Sequence, residues 1–231
     1  MAKFTANAAK NFEATAKQKR AAQCDVVALA IAEREQSGVA GKMLDARKAI
    51  LDATRNAVTE PVFRADLDQR IKQCDEYRKS YVEAAHRWAN IAGLPAPEWK
   101  VADLGGKEHS MTQYRGQAVV LDFWLRQCSF CIRAMPHVGQ AAATFRQEKA
   151  PVSFFGVSID KNEADAKFVA DTMKLSYPVL RSDKLAEQLG VTSYPTLLFI
   201  APDGTVQGIF IGHSLTLREE LTACVRGLLK K

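Results

Sequence analysis

The eighteen residues from Val119 to Pro136, VVLDFWLRQCSFCIRAMP, constrain this chain more than any other stretch. Val119, Val120, Leu121, Phe123 and Trp124 form an apolar run that reads as a strand covered on both faces. The run passes through a short turn into a segment of helical composition, and two cysteines stand at the turn. A pair spaced as Cys128-Ser129-Phe130-Cys131 has three readings: a redox dithiol, half of a metal site, or two unrelated core thiols. The strand-to-helix setting favours the first. A three-residue step on a helix's first turn brings both sulfurs to one side of it, near enough to close a small ring. Cys128 then lies at the helix start, where unpaired N–H groups and the positive end of the macrodipole stabilise a thiolate. Cys128 is therefore the expected nucleophile.

Asp122-Phe123-Trp124, three further residues, the two cysteines and then Pro136 together resemble the thioredoxin fold. The later segment Gly190-Val191-Thr192-Ser193-Tyr194-Pro195-Thr196-Leu197-Leu198-Phe199 resembles the stretch in which that family carries a cis-proline beside its dithiol. Leu104-Gly105-Gly106-Lys107 and Tyr114-Arg115-Gly116-Gln117 are similar to the entry hairpin of the TlpA/ResA-like branch of extracytoplasmic thiol–disulfide oxidoreductases. The resemblance covers about residues 95 to 231.

The fold class expected is an α/β thioredoxin-like domain, a mixed central sheet flanked by helices, over residues 95–231, preceded by an all-α helical bundle over 1–93. Residues 1–93 hold one proline, Pro61, and three glycines, and are dense in Ala, Lys, Arg, Glu and Gln, which is helical composition. Breaks at Ser37-Gly38 and around Thr59-Glu60-Pro61 divide them into three helices. In the third, Leu67, Ile71, Cys74, Tyr81, Ala85 and Trp88 form one apolar stripe. Cys24, Val27, Ala28 and Ile31 make a similar face on the first, so antiparallel packing is the natural way to bury both. Cys24 and Cys74 fall on these stripes, either as small core hydrophobes or as an interhelix disulfide. His86 reads as a surface or boundary residue. The bundle reads as an interaction or dimerisation element.

Gly93-Leu94-Pro95-Ala96-Pro97 stops the helix and marks the boundary. Beyond it a hairpin is expected around Gly105-Gly106, then the strand Ala118 to Trp124 and a helix Ser129 to Glu148 that Pro136 is expected to kink. A strand Val152 to Ile159 leads to a helix opened by Asp160 and Glu163 as a capping box. Tyr177 to Leu180 reads as a strand and Asp183 to Leu189 as a helix. Thr196 to Ile200 and Val206 to Ile211 pair around Pro202-Asp203-Gly204. Leu215 to Leu229 is the last helix, facing the sheet with Leu217, Leu221, Cys224, Val225 and Leu228.

The resemblance implies thiol–disulfide exchange with protein disulfides, with Cys131 resolving the mixed disulfide and with no cofactor. It implies that Asp122 accepts the Cys131 proton through water. An aspartate inside an apolar strand is costly unless hydrogen-bonded or protonated, which agrees with a function. Pro195 is the implied cis-proline, and Tyr194 before it lines the substrate groove. Trp124 either contacts the active-site loop, as a substrate-binding residue, or packs in the core. Arg126 is expected to add positive charge near Cys128. Ala134, Gln127 and Ser129-Phe130 depart from the family pattern, and Ala134, standing where a glutamate is common, leaves Asp122 as the main acid.

The reading is of a reductant of particular protein disulfides, served by a membrane or thioredoxin-type electron donor, with a homodimer through the N-terminal helices. The alternative is a Cu(I) or Zn(II) carrier using the two sulfurs, with His213, read as solvent-facing, the nearest further ligand. The single-cysteine peroxiredoxin signature P-x-x-x-[ST]-x-x-C is absent. The formal charge of +6 comes from lysines and arginines that alternate with acids, so nucleic acid is not an expected partner. Five cysteines leave at least one unpaired. No apolar run reaches the eighteen or so residues of a span, the longest being Val26 to Ala32, and Met1 to Arg20 lacks the apolar block of a secretory signal. The family resemblance implies an extracytoplasmic compartment with the signal or anchor trimmed away; a cytoplasmic start is the alternative.

Overall fold

The computed structural model describes residues 26–230. Residues 27–92 form one compact unit, and the chain from Gly93 onward forms another.

The first unit holds four helices: α1 over residues 26–35, α2 (Val39–Ala57), α3 (Pro61–Glu76) and α4 (Arg78–Ala89). Pro61 occupies the first turn of α3, where its missing N–H has no helical acceptor in any case. The single third helix expected from sequence is interrupted at Tyr77, whose backbone (φ −96°, ψ 1°) separates α3 from α4. Along its expected stripe Cys74, Ala85 and Trp88 are buried, while Leu67, Ile71 and Tyr81 are half-buried.

The face that α1 buries also differs from expectation. Val27, Leu29, Ala30 and Glu33 are buried, whereas Ala28 is exposed and Ile31 half-buried. Glu33, a charged residue, shares this buried face. Gly38 takes the left-handed conformation at the start of α2 (φ 90°) without a side chain to cap it. Glu33 reaches over instead: its Oε1 accepts the Gly38 N–H at 2.7 Å and its Oε2 the Ala40 N–H at 2.7 Å. A buried carboxylate is thereby matched to two orphan donors of a helix N-terminus. His86 Nε2 lies 2.7 Å from the same carboxylate. Cys74 is buried and outside any disulfide; Cys24, its suggested partner, lies outside the described residues.

In the second unit a short hairpin, β1 (Lys100–Ala102) and β2 (Glu108–Ser110), precedes a five-stranded sheet. The sheet contains β3 (Ala118–Trp124), β4 (Val152–Ser158), β5 (Val179–Arg181), β6 (Thr196–Ile200) and β7 (Val206–Ile211), in the order β5-β4-β3-β6-β7. β3, β4 and β5 run parallel, while β6 pairs antiparallel with β3 and with β7. The helices are α5 (Ser129–Gln147), α6 (Glu163–Thr172), α7 (Asp183–Gln188) and α8 (Leu217–Leu228). The mixed sheet with flanking helices is the architecture expected.

Every residue of β3 is buried. On its even-numbered face Val120 packs with Ala134, Val138 and Ala141 of α5 and with Leu217, Leu221 and Val225 of α8. Trp124, at the other end of that face, packs with Cys131 and Met135 of α5 and with Ala166 and Val169 of α6. Asp122 lies between the two, on the same face by strand alternation. The capping box expected of Asp160 does not form. Asn162 caps α6 by accepting the Ala164 N–H at 3.0 Å, which frees Asp160 for the active-site turn.

Candidate active site

The turn after β3 ends at Cys128, which is the N-cap of α5; its backbone is extended (φ −87°, ψ 99°) and its sulfur receives the Cys131 N–H at 3.1 Å. Cys128 and Cys131 form a disulfide, S–S 2.26 Å and Cα–Cα 5.2 Å. The two sulfurs are unequal. Cys128 is half-buried and Cys131 is 1% exposed. A disulfide carried at a helix N-terminus leaves orphan N–H groups aimed at the outer sulfur, and these stabilise negative charge on it once the bond is reduced.

The Tyr194–Pro195 peptide bond is cis. Tyr194 O lies 3.6 Å from Cys128 Sγ, which puts the loop against the outer sulfur. The loop is held from its far side, where Pro195 O accepts the Gly212 N–H at 2.8 Å, and from within, where Thr196 Oγ1 donates to Ser193 O at 2.8 Å. Tyr194 packs at the margin of the cluster containing Trp124 and Cys131, and burial pushes its phenol up.

Asp122 is 1% exposed, and burial raises its carboxyl from 3.8 to about 7, the Tyr177 hydrogen bond opposing the rise. Tyr177 donates to Asp122 Oδ2 at 3.3 Å, whereas Oδ1 has no hydrogen-bond partner among the described residues. Trp124 is fully buried. Of the two roles open to it from sequence, the structure places it in the core behind the cysteines and not on a substrate-facing surface. Gly156 stands opposite Asp122 across the β3–β4 pairing. A Cβ there would meet Trp124 Nε1 at 2.9 Å, Val179 Cγ2 at 3.3 Å and Tyr177 Cε2 at 3.4 Å, so glycine is what lets both aromatic rings approach the strand here.

The charge of Arg126 is already engaged. Its guanidinium pairs with Asp165 and lies over the Phe168 ring at 4.3 Å, while its backbone N–H donates to Asp160 Oδ2 at 3.0 Å. Asp160, read from sequence as a helix cap, thus holds the turn, and Asp165 engages its charge. Ser129-Phe130 presents an exposed Phe130 ring beneath the Arg133 guanidinium, 4.5 Å from its centroid. His213, read from sequence as solvent-facing, is half-buried with its ring 5.5 Å from that of His137; burial lowers its pKa, and the charges of His137 and Arg133 add to this. Among the described residues no group of three or more His, Cys, Asp or Glu is arranged to hold a metal.

Residues 92–209 match the model of the AhpC/TSA family. The chain is 31% identical over 126 residues to the thiol-disulfide oxidoreductase ResA of Geobacillus thermodenitrificans, covering 54% of this chain and 71% of that one. It is 30% identical to the thioredoxin-like protein YneN of Bacillus subtilis, covering 55% and 75% respectively. Among solved structures, a thiol:disulfide interchange protein of the thioredoxin family from Chlorobium tepidum superimposes with a TM-score of 0.53 at 23% identity, over 58% of this chain and 95% of that one. That likeness carries the fold.

Proposed function

The chain belongs to the AhpC/TSA family, and on that premise we propose that its Cys128–Cys131 pair exchanges disulfides with protein substrates, acting as a reductant. The single observation that carries this is a disulfide at the N-terminus of α5 with one sulfur accessible, one buried, and the carbonyl before a cis-proline 3.6 Å from the accessible one. In the reduced protein the Cys128 thiolate attacks a substrate disulfide. A Cys128–substrate bond forms, the substrate S–S bond breaks, and one substrate thiolate leaves. Cys131 then attacks Cys128 Sγ, re-forming the disulfide present here and releasing the second substrate thiolate. Two electrons pass from the dithiol to the substrate, and a dithiol donor must return them.

Cys131, 1% exposed, has to lose its proton in a buried site, and Asp122 is the acceptor, through water, in this proposal. Its support is a buried carboxyl titrating near neutrality on the strand face that packs against α5. Tyr194 and Pro195 are proposed to bind the substrate backbone beside Cys128. Trp124 supports the cysteines from below.

The test is turnover and trapping. The wild-type protein is expected to catalyse dithiol-driven reduction of insulin, and Cys131→Ser to accumulate a mixed disulfide through Cys128. No turnover together with no trapped adduct refutes the proposal. The direction is tested by the reduction potential, where about 30 mV is a tenfold change in equilibrium. A value well below that of the substrate disulfides supports a reductant, and one near those of strong oxidants refutes it.

The compartment proposed is extracytoplasmic, on the likeness to the ResA and interchange proteins; among the described residues no helix is long and apolar enough to cross a membrane. The helical unit is proposed as a dimerisation element, supported by the exposed Ile50, Val62 and Phe63. The double variant Val62→Ser, Phe63→Ser is expected to lower the mass seen by light scattering. An unchanged mass removes that assignment.

A further inference from the structure

Asp122 carries two chemically unequal oxygens, and the inequality comes from one side chain. We propose that Tyr177 is the positioning residue of the exchange reaction: by donating its O–H to Oδ2 it fixes the carboxylate and leaves Oδ1 as the atom that takes the Cys131 proton. The inference rests on the assignment of Asp122 as acceptor and deepens it.

The geometry is specific. Tyr177 is 5% exposed and comes from the segment before β5, two strands away from β3 in the sheet. It turns a phenol into the core to reach Asp122 at 3.3 Å. A buried tyrosine hydroxyl needs an acceptor, and the carboxylate is the one it has. Around the pair the facing groups are few. The strands on either side present Gly156 and Leu197 opposite Asp122. From α5 come Cys131, Ala134, Met135 and Val138, and from β5 Val179, so Cys131 lies among the groups of this face. Tyr177 borders two clefts lined by charged side chains. On one side is a cleft of about 400 Å³ with Lys107, His109, Arg146 and Lys149. On the other is one of about 390 Å³ with Asp103, Lys167 and Asp171. Among the described residues the carboxylate has no ion-pair partner and the phenol is its one hydrogen-bond donor, which opposes the effect of burial. A fixed hydrogen bond sets both the orientation of the acid and the pH at which it works.

The test uses the full reduced chain and reads the Asp122 titration midpoint by carboxyl carbon NMR, alongside the pH profile of mixed-disulfide resolution. Tyr177→Phe removes one oxygen and is expected to raise both midpoints by about one unit, a tenfold shift, as loss of a hydrogen bond to a charged group does. Replacing Tyr177 with 3-fluorotyrosine keeps the ring and strengthens the donor, and is expected to lower both midpoints. That change in sign is one a packing role does not produce. Midpoints that stay put in both variants overturn the inference while leaving the acid in place. If Asp122→Asn retains the wild-type profile, the acceptor assignment falls and this inference falls with it, whereas trapping at Cys128 continues to report on exchange independently.

Discussion

Asp122→Asn is predicted to change how stability depends on pH, by an amount the structure sets. In the fold the carboxyl is raised from 3.8 to about 7 by burial; in the unfolded chain it returns to its ordinary value. Between about pH 4 and pH 7 the unfolded state has therefore lost a proton that the folded state still holds. A folded pKa above the unfolded one means that stability is fully present below about pH 4 and is lost as pH rises through about 7. At roughly 1.4 kcal/mol per unit, the rise from 3.8 to about 7 corresponds to about 4 kcal/mol lost by pH 8. Asparagine does not titrate, so the variant lacks this slope. Urea unfolding of both oxidised proteins, from pH 4 to pH 8.5, measures the difference. Their other titrating groups are shared and cancel, and equal m-values exclude a change in the surface exposed. The variant's stability relative to wild type is expected to climb by about 4 kcal/mol across the range, with most of the climb below pH 7. A difference that stays flat, or falls as pH rises, refutes the burial argument for Asp122.

Gly156→Ala is expected to cost about 1–3 kcal/mol of stability, because its Cβ would lie 2.9 Å from Trp124 Nε1; thermal unfolding checks this, and an unchanged Tm contradicts it. Arg126→Ala is expected to move the Cys128 thiolate pKa by less than about half a unit, since the guanidinium is already engaged by half-buried Asp165. Thiolate absorbance on the reduced protein measures it, and a rise of a full unit restores the role that sequence suggested. Glu33→Gln is expected to fray the start of α2, with faster amide exchange at Gly38 and Ala40, whose N–H groups it holds. Those same bonds hold the Glu33 carboxyl below its ordinary value. The stability it contributes is accordingly present above about pH 4.5 in the wild type and lost as pH falls through the lowered value.

The dithiol was legible because its chemistry is local. Two cysteines three apart at a strand-to-helix junction need only the helix to meet, and the hydrogen bond from the Cys131 N–H to Cys128 Sγ follows from the N-cap position itself. β3 could be read for the same reason, as could the buried stripe of α8, where Leu217, Leu221, Val225 and Leu228 recur with the helical period. Pro195 was identified by resemblance to a known segment and not by any local preference for the cis form. Reading failed where a polar side chain's partner lay far along the chain. Asp160 looked like a helix cap, although Asn162 stood two positions nearer, and Arg126 looked like a free charge next to Cys128.

What the sequence alone determined, then, is the set of elements, the sulfur pair and the presence of an acid in an apolar strand. Each of these is a statement about neighbours within one or two turns, where backbone geometry dictates which side chains share a face. Only the tertiary structure decided that Tyr177, 55 positions after Asp122, is the hydrogen-bond partner of that acid. The same holds for Gly156, which opens the room the two aromatic rings occupy, and for Trp124, which lies behind the cysteines. Contacts across a sheet depend on strand order and register, and one strand's composition does not encode which others will flank it.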